Sequence, residues 1–173
     1  MFTKTRLLAA AAMLLVAAPA FSQPIPPSVQ KRIDRILKRT PLIDGHNDLP
    51  WALREDYKLS VEGLESGTDQ RKPPLMTDME RMRKGRVGGQ FWSVYITGTT
   101  LGDAAIRTTL EQIDTAHRLI DAYPQHLEFA ESADDMVRIH RKRRIGSMLG
   151  VEGGNQIGGS MPTLRQFYAR GVR

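Results

Sequence analysis

Short runs of apolar and β-branched residues alternate along this chain with stretches of helical periodicity. Val29, Ile33, Ile36 and Leu37 fall on one face of a helix predicted over 28–39, with Ser28 placed to cap it. Leu42-Ile43 opens a short strand that carries Asp44-Gly45-His46-Asn47-Asp48. Residues 56–72 are polar and contain glycine, and read as a surface loop; Thr77 is placed to cap a short helix to about Lys84. The clearest strand is 87–96, rich in β-branched and aromatic residues. The clearest helix is 103–123, with Ile106, Leu110, Ile113 and Ile120 as its apolar stripe and Pro124 as its stop. A third strand is predicted at 127–130. Ser132 and the two aspartates after Ala133 then offer a cap and an acidic first turn for a helix. Ile145–Val151 reads as a fourth strand and 161–170 as a helix stopped by Gly171, which leaves Val172-Arg173 at the threshold of a fifth strand. Such alternation implies a parallel sheet with helices packed on it, an α/β fold without internal repeats.

The first 22 residues follow a different pattern. Lys4 and Arg6 precede an uncharged apolar run of ten, Leu7 to Val16, and small residues surround Ala20 and Ser22. This is the layout of a secretory signal peptide cleaved after Ala20 or Ser22, so residues 23–173 are the expected mature domain. The run is too short for a transmembrane anchor, which needs roughly 20 apolar residues. Export to a periplasm, or full secretion, is the expected localisation. Loss of Lys4 and Arg6 lowers the formal charge from +6 to +4. Much of the remaining excess lies between Arg138 and Arg144, where five of seven residues are Lys or Arg. Cations at a helix C-terminus complement its dipole, and no aromatic residue is interleaved for base stacking. Nucleic acid is therefore not an expected partner.

With 40% apolar and 25% charged residues the 173-residue chain is globular in composition. It has no cysteine, which excludes disulfides, thiolate metal sites and a cysteine nucleophile, and leaves His, Asp and Glu to hold any metal. His46 and Asp48, two apart on a strand, share a face, and imidazole plus carboxylate suits Zn²⁺ or a similar divalent ion. Glu152 ends an apolar strand just before Gly153-Gly154, a site position in parallel α/β proteins, and a carboxylate can bridge two cations. Each has a plain alternative: a solvated His-x-Asp pair after a strand, and a glutamate that caps the next helix or pairs with an arginine. His117 reads as a packed, hydrogen-bonded helix residue, His126 as a loop residue and His140 as part of the basic helix end; none is assigned to a metal. No Gly-x-Ser-x-Gly elbow or phosphate-binding loop is present.

Three segments taken together, Ile43 to Trp51, Gly88 to Tyr95 and Gly150 to Gly154, resemble the membrane dipeptidases (the renal dipeptidase family, peptidase family M19). The similarity runs from about Ile33 to Arg173 and takes in Arg107 to Asp114. The resemblance implies the N-terminal half of a (β/α)8 TIM barrel of the metal-dependent hydrolase superfamily, carried through about four strands; a complete barrel typically needs about 250 residues. It implies a binuclear zinc centre in which His46 and Asp48 ligate the first ion and Glu152 bridges both, with Trp51 and Tyr95 lining the substrate pocket. Dipeptides would be hydrolysed by a metal-bridging hydroxide. Family members favour dipeptides with free termini, accept some D-residues and can open certain β-lactams; a homodimer is compatible with the full-length form. Two further histidines, an arginine and an aspartate of the family pattern have no counterpart here, so the 173-residue chain is expected to be inactive alone. Where the family often has Gly-Gly-His, this chain has Gly153-Gly154-Asn155. Two rivals are another binuclear hydrolase, disfavoured because such enzymes usually open with His-x-His, and a non-catalytic metal- or peptide-binding remnant of the same fold.

Overall fold

A computed structural model describes residues 24–173, so the signal-peptide segment lies outside the described residues. The elements in order are α1 (Pro27–Arg39), β1 (Leu42–Asn47), α2 (Leu49–Tyr57), α3 (Met79–Lys84), β2 (Val87–Val94), α4 (Gly102–Ala122), β3 (Leu127–Phe129), α5 (Ala133–Arg141), β4 (Ile145–Val151) and α6 (Met161–Ala169), with 3-10 turns at Thr68–Gln70 and Gly154–Ile157. Every strand pairing is parallel, as the alternation predicted. No described helix is long and apolar enough to cross a membrane.

The strands lie in the order β1-β2-β4-β3. β2 and β4 are in continuous register from Gly89↔Gly146 to Val94↔Val151. β3 meets only the first three residues of β4, and higher on the same edge Leu149 bridges Val172. The strand expected to begin at Val172 is thus already paired, while β3 is a short side strand and not the neighbour of β2.

Pleating divides the sheet into two faces. Trp92, Val94, Ile145 and Leu149 pack with Leu53 of α2 and with Ile113, Leu119 and Ile120 of α4 in the main core. The opposite face carries α5, whose Met136 and Ile139 cluster with Ala130 against Met148. This close approach requires glycine: a Cβ on Gly89 would stand 2.7 Å from the Met136 sulfur, and one on Gly146 2.2 Å. These two glycines are register partners, so a single thioether fills the gap between them.

Several local expectations are corrected. Ser28 lies inside α1; Pro26 is the capping position and Pro27 opens the helix, its fixed φ already suited to that site. Asp78, not Thr77, caps α3, accepting from the Arg81 amide at 2.8 Å. Residues 56–72 are not simply a surface loop: the end of α2 falls within them, and Leu64 and Thr68 are fully buried. The Thr68 hydroxyl donates to Thr77 O at 2.9 Å, which ties the loop to α3. On α4 the predicted stripe holds at Ile113 and Ile120, with Ile106 packed against the core, and fails at one position. Leu110 is exposed, and the inward face includes Thr109, Gln112 and Thr115 beside Ala105, Ala116 and Leu119.

Two outcomes follow from α5. Gly146→Ala overpacks the Met136 contact and should lower unfolding stability by about 1–3 kcal/mol, with part of the loss recovered in the Gly146→Ala, Met136→Ala double variant. Equal stability of all three proteins in urea would remove the proposed contact. At the helix start, Asp135 and Ser132 cap one another at 3.1 and 2.9 Å. The Arg138 side chain, then the Ser132 hydroxyl and the Glu131 amide, hold the Asp135 carboxyl down to about 2. A depressed carboxylate stabilises fully above its unfolded value of about 4 and stops doing so as pH falls through about 2. Thermal midpoints should therefore drop across that window, and Asp135→Asn should flatten part of the drop.

Candidate metal centre

The carboxyl ends of β1 and β4 flank that of β2, and this brings His46, Asp48 and Glu152 together. Among the described residues they form the one group of this kind, with a ligand atom from each within 4.8 Å of the others. His46 Nε2 stands 3.1 Å from Asp48 Oδ1 and 3.6 Å from Glu152 Oε2. All three side chains are about half exposed, so solvent and small molecules reach them. A concavity of about 400 Å³ runs along the β1 side, lined by His46, Asp48, Leu75 and Thr77; another of about 860 Å³ lies beyond Glu152, lined by Ile157, Tyr168 and Arg173.

The neighbours of these side chains explain their placement. Between His46 and Asp48, Asn47 turns away: its amide donates to Thr77 Oγ1 at 3.0 Å and to Gln90 Oε1 at 3.3 Å. Its carbonyl oxygen accepts from the Leu49 amide at 3.0 Å and so helps start α2. Sequence reasoning missed α2, although Asn47 before a proline-bearing first turn is a signal for it. Ser93 on β2 donates to Glu152 Oε2 at 3.2 Å. Beyond the strand, fully buried Gln156 uses both ends of its amide. Its oxygen accepts from the Glu152 and Gly153 amides at 3.1 and 2.9 Å; its NH₂ donates to Val94 O at 2.6 Å and Thr109 Oγ1 at 3.0 Å. Thr109 faces inward on α4 for this reason. Gln112 does so because it donates to Tyr95 O at 3.1 Å and accepts from Arg54 at 3.2 Å.

Trp51, in the first turn of α2, meets Tyr95, just past β2, edge to face with ring centroids 5.0 Å apart. The remaining histidines take no part. His117 is half-buried, its Nε2 2.9 Å from Arg170 O and its ring against Phe129. His126 pairs with Glu65 at 2.7 Å, and His140 lies over Gly88. One imidazole nitrogen and two carboxylates, converging with open space in front of them, fit a divalent cation of the zinc type.

Residues 30–173 match the family model for membrane dipeptidase, peptidase family M19. The chain belongs to this family. Dipeptidase ataJ of Aspergillus terreus is 39% identical over 150 residues, 82% of this chain and 36% of that protein. Among solved structures, dipeptidase AC, a metallopeptidase of family M19, superposes with a TM-score of 0.63 at 20% identity, covering 78% of this chain and 41% of its own. A metallopeptidase from Rhodobacter sphaeroides, solved with a phosphinate mimic of the dipeptide L-Ala-D-Ala, gives 0.61 at 19% identity over 78% of this chain and 44% of its own. The chain thus spans less than half the length of these relatives, and its α/β fold with a parallel sheet is part of a TIM-barrel-like whole.

Replacing Gln156 by Leu strands the Glu152 and Gly153 amides and the Val94 carbonyl, each unsatisfied group costing about 1–3 kcal/mol. Gln156→Leu should weaken divalent-metal binding at least tenfold in competition with a chelator, and Gln156→Glu, which keeps the acceptor, should lose less. Unchanged metal affinity in Gln156→Leu would separate this residue from the placing of Glu152.

Proposed function

We propose that the complete protein is an exported, zinc-dependent dipeptidase, and that His46, Asp48 and Glu152 are the share of its metal centre held by these residues. The observation that carries this reading is the convergence of three donors from strands far apart in sequence, at the end of the sheet where barrel enzymes place their chemistry. Membership of the M19 family and the dipeptide mimic bound to the Rhodobacter sphaeroides relative support a dipeptide substrate. The apolar run after Lys4 and Arg6 supports export.

The residues have distinct tasks. His46 and Asp48 would hold one zinc ion, and Glu152 would offer one oxygen to it and the other to a second ion. Zinc bound there would supply Lewis acidity to the peptide carbonyl and acidify water at neutral pH. The Ser93 hydroxyl donates its proton to Glu152 Oε2 and so fixes the rotation of that carboxylate. Trp51 and Tyr95, locked edge to face, form an apolar wall against which a dipeptide side chain would rest. A two-metal site requires more donors than these three. We therefore infer that the 173-residue chain alone binds zinc weakly and does not turn over.

The test is the complete protein with L-Ala-D-Ala and related dipeptides. Two zinc ions per chain, loss of activity with a chelator and recovery with zinc are expected. Glu152→Gln, which keeps size but loses charge, should lower kcat by at least a hundredfold and release zinc. Full turnover in Glu152→Gln would remove the bridging role, and zinc-independent hydrolysis would overturn the assignment.

A further inference from the structure

A third concavity, about 730 Å³, opens at the opposite end of the sheet, beside Val87 and Ile145, the first residues of β2 and β4. Its lining gathers Lys38 of α1, Arg83 of α3, Arg86 before β2, and Arg141, Arg143 and Arg144 at the end of α5 and the turn into β4. The sequence showed only the last cluster as a basic run; folding adds three cations from elsewhere. Two of the six are neutralised, Arg86 by Asp34 at 2.5 Å and Arg144 by Glu128. Among the described residues, Lys38, Arg83, Arg141 and Arg143 have no acidic partner, and Asp34 is the one acid in the lining.

Like charges around one concavity repel, and the concave surface concentrates their field. The backbone adds a cost. Arg86 and Arg143 sit at φ 59° and 60°, a left-handed conformation that glycine holds without steric penalty. A fold that sets arginines in both turns and leaves four charges without counter-ions is suited to a ligand that carries the missing negative charge.

We propose that this cavity binds a compact polyanion bearing two or more phosphate groups. Guanidinium forks match phosphate oxygens, and linked phosphates bring several charges and acceptors into a space where separate carboxylates would crowd. No Phe, Tyr or Trp lines the cavity, which speaks against stacked nucleobases. The site is independent of the dipeptidase reading, since the metal donors lie at the other end of the strands. The phosphates could belong to a soluble molecule or to lipid headgroups.

Calorimetric titration of the complete protein with tripolyphosphate, at physiological salt, tests the inference. Saturable one-to-one binding is expected, weakened at least tenfold in the Arg83→Ser, Arg141→Ser double variant. Both positions are exposed and outside the metal centre, so that variant should keep its thermal midpoint and its peptidase activity. His46→Ala should bind as the parent does, which excludes capture of the probe by active-site zinc. Flotation with vesicles containing cardiolipin, whose headgroup carries two phosphates, distinguishes the sources: co-flotation abolished by the double variant and by tripolyphosphate assigns lipid headgroups, and binding of tripolyphosphate alone assigns a soluble ligand. No saturable binding, equal affinity in the double variant, or loss of binding in His46→Ala would each overturn the proposal.

Discussion

Parallel pairing on both sides of β2 is the constraint from which the site derives. Because β1, β2 and β4 run the same way, their last residues reach one end of the sheet together, and side chains far apart in sequence face a common space. A slip of one residue between β2 and β4 would turn Glu152 and Ser93 to opposite faces. The register is held where slipping would cost most, with Met136 wedged between the two glycines at the lower end and Gln156 hydrogen-bonded across both strands at the upper end.

Polar groups buried beneath the site are the second layer of this control. Gln90, Gln112 and Gln156 are closed to solvent, and each spends its amide on backbone groups or side chains that belong to different elements. A buried amide tolerates few arrangements, because an unmatched donor or acceptor is costly there. Apolar packing by Trp92, Leu149 and Leu119 gives the sheet and α4 cohesion without fixing their relative position closely. The glutamines supply that precision: Gln90 between β1 and β2, Gln112 between α4 and the end of β2, and Gln156 at the turn after β4.

Much of this was legible in the residues. Strand periodicity put His46 and Asp48 on one face, and Glu152 stood out as a carboxylate at the end of an apolar run. That the three meet was a matter of tertiary pairing, which the motif resemblance implied and periodicity could not. On α4 the stripe held at Ile113 and Ile120, but its polar continuation was hidden, because Thr109 and Gln112 look like surface residues until their partners, Gln156 and Tyr95 O, are known. The lateral position of β3 was invisible for a related reason: three residues carry no mark of which edge they join. Equally hidden was the gathering of Lys38, Arg83 and Arg86 beside the basic run, since charge along a chain does not show which charges become neighbours.

The side position of β3 also bears on the birth of the protein. A chain leaves the ribosome amino end first, so β4 is complete before Val172 exists to pair with Leu149 on its free rim. By then β3 has emerged and can occupy the lower part of that rim, from Ile145 to Ser147. Fewer unpaired amides and carbonyls are left to recruit a strand from a neighbouring nascent chain. A three-residue strand thus covers the lower part of an edge whose upper part is met by Val172, and it sends Leu127 into the main core.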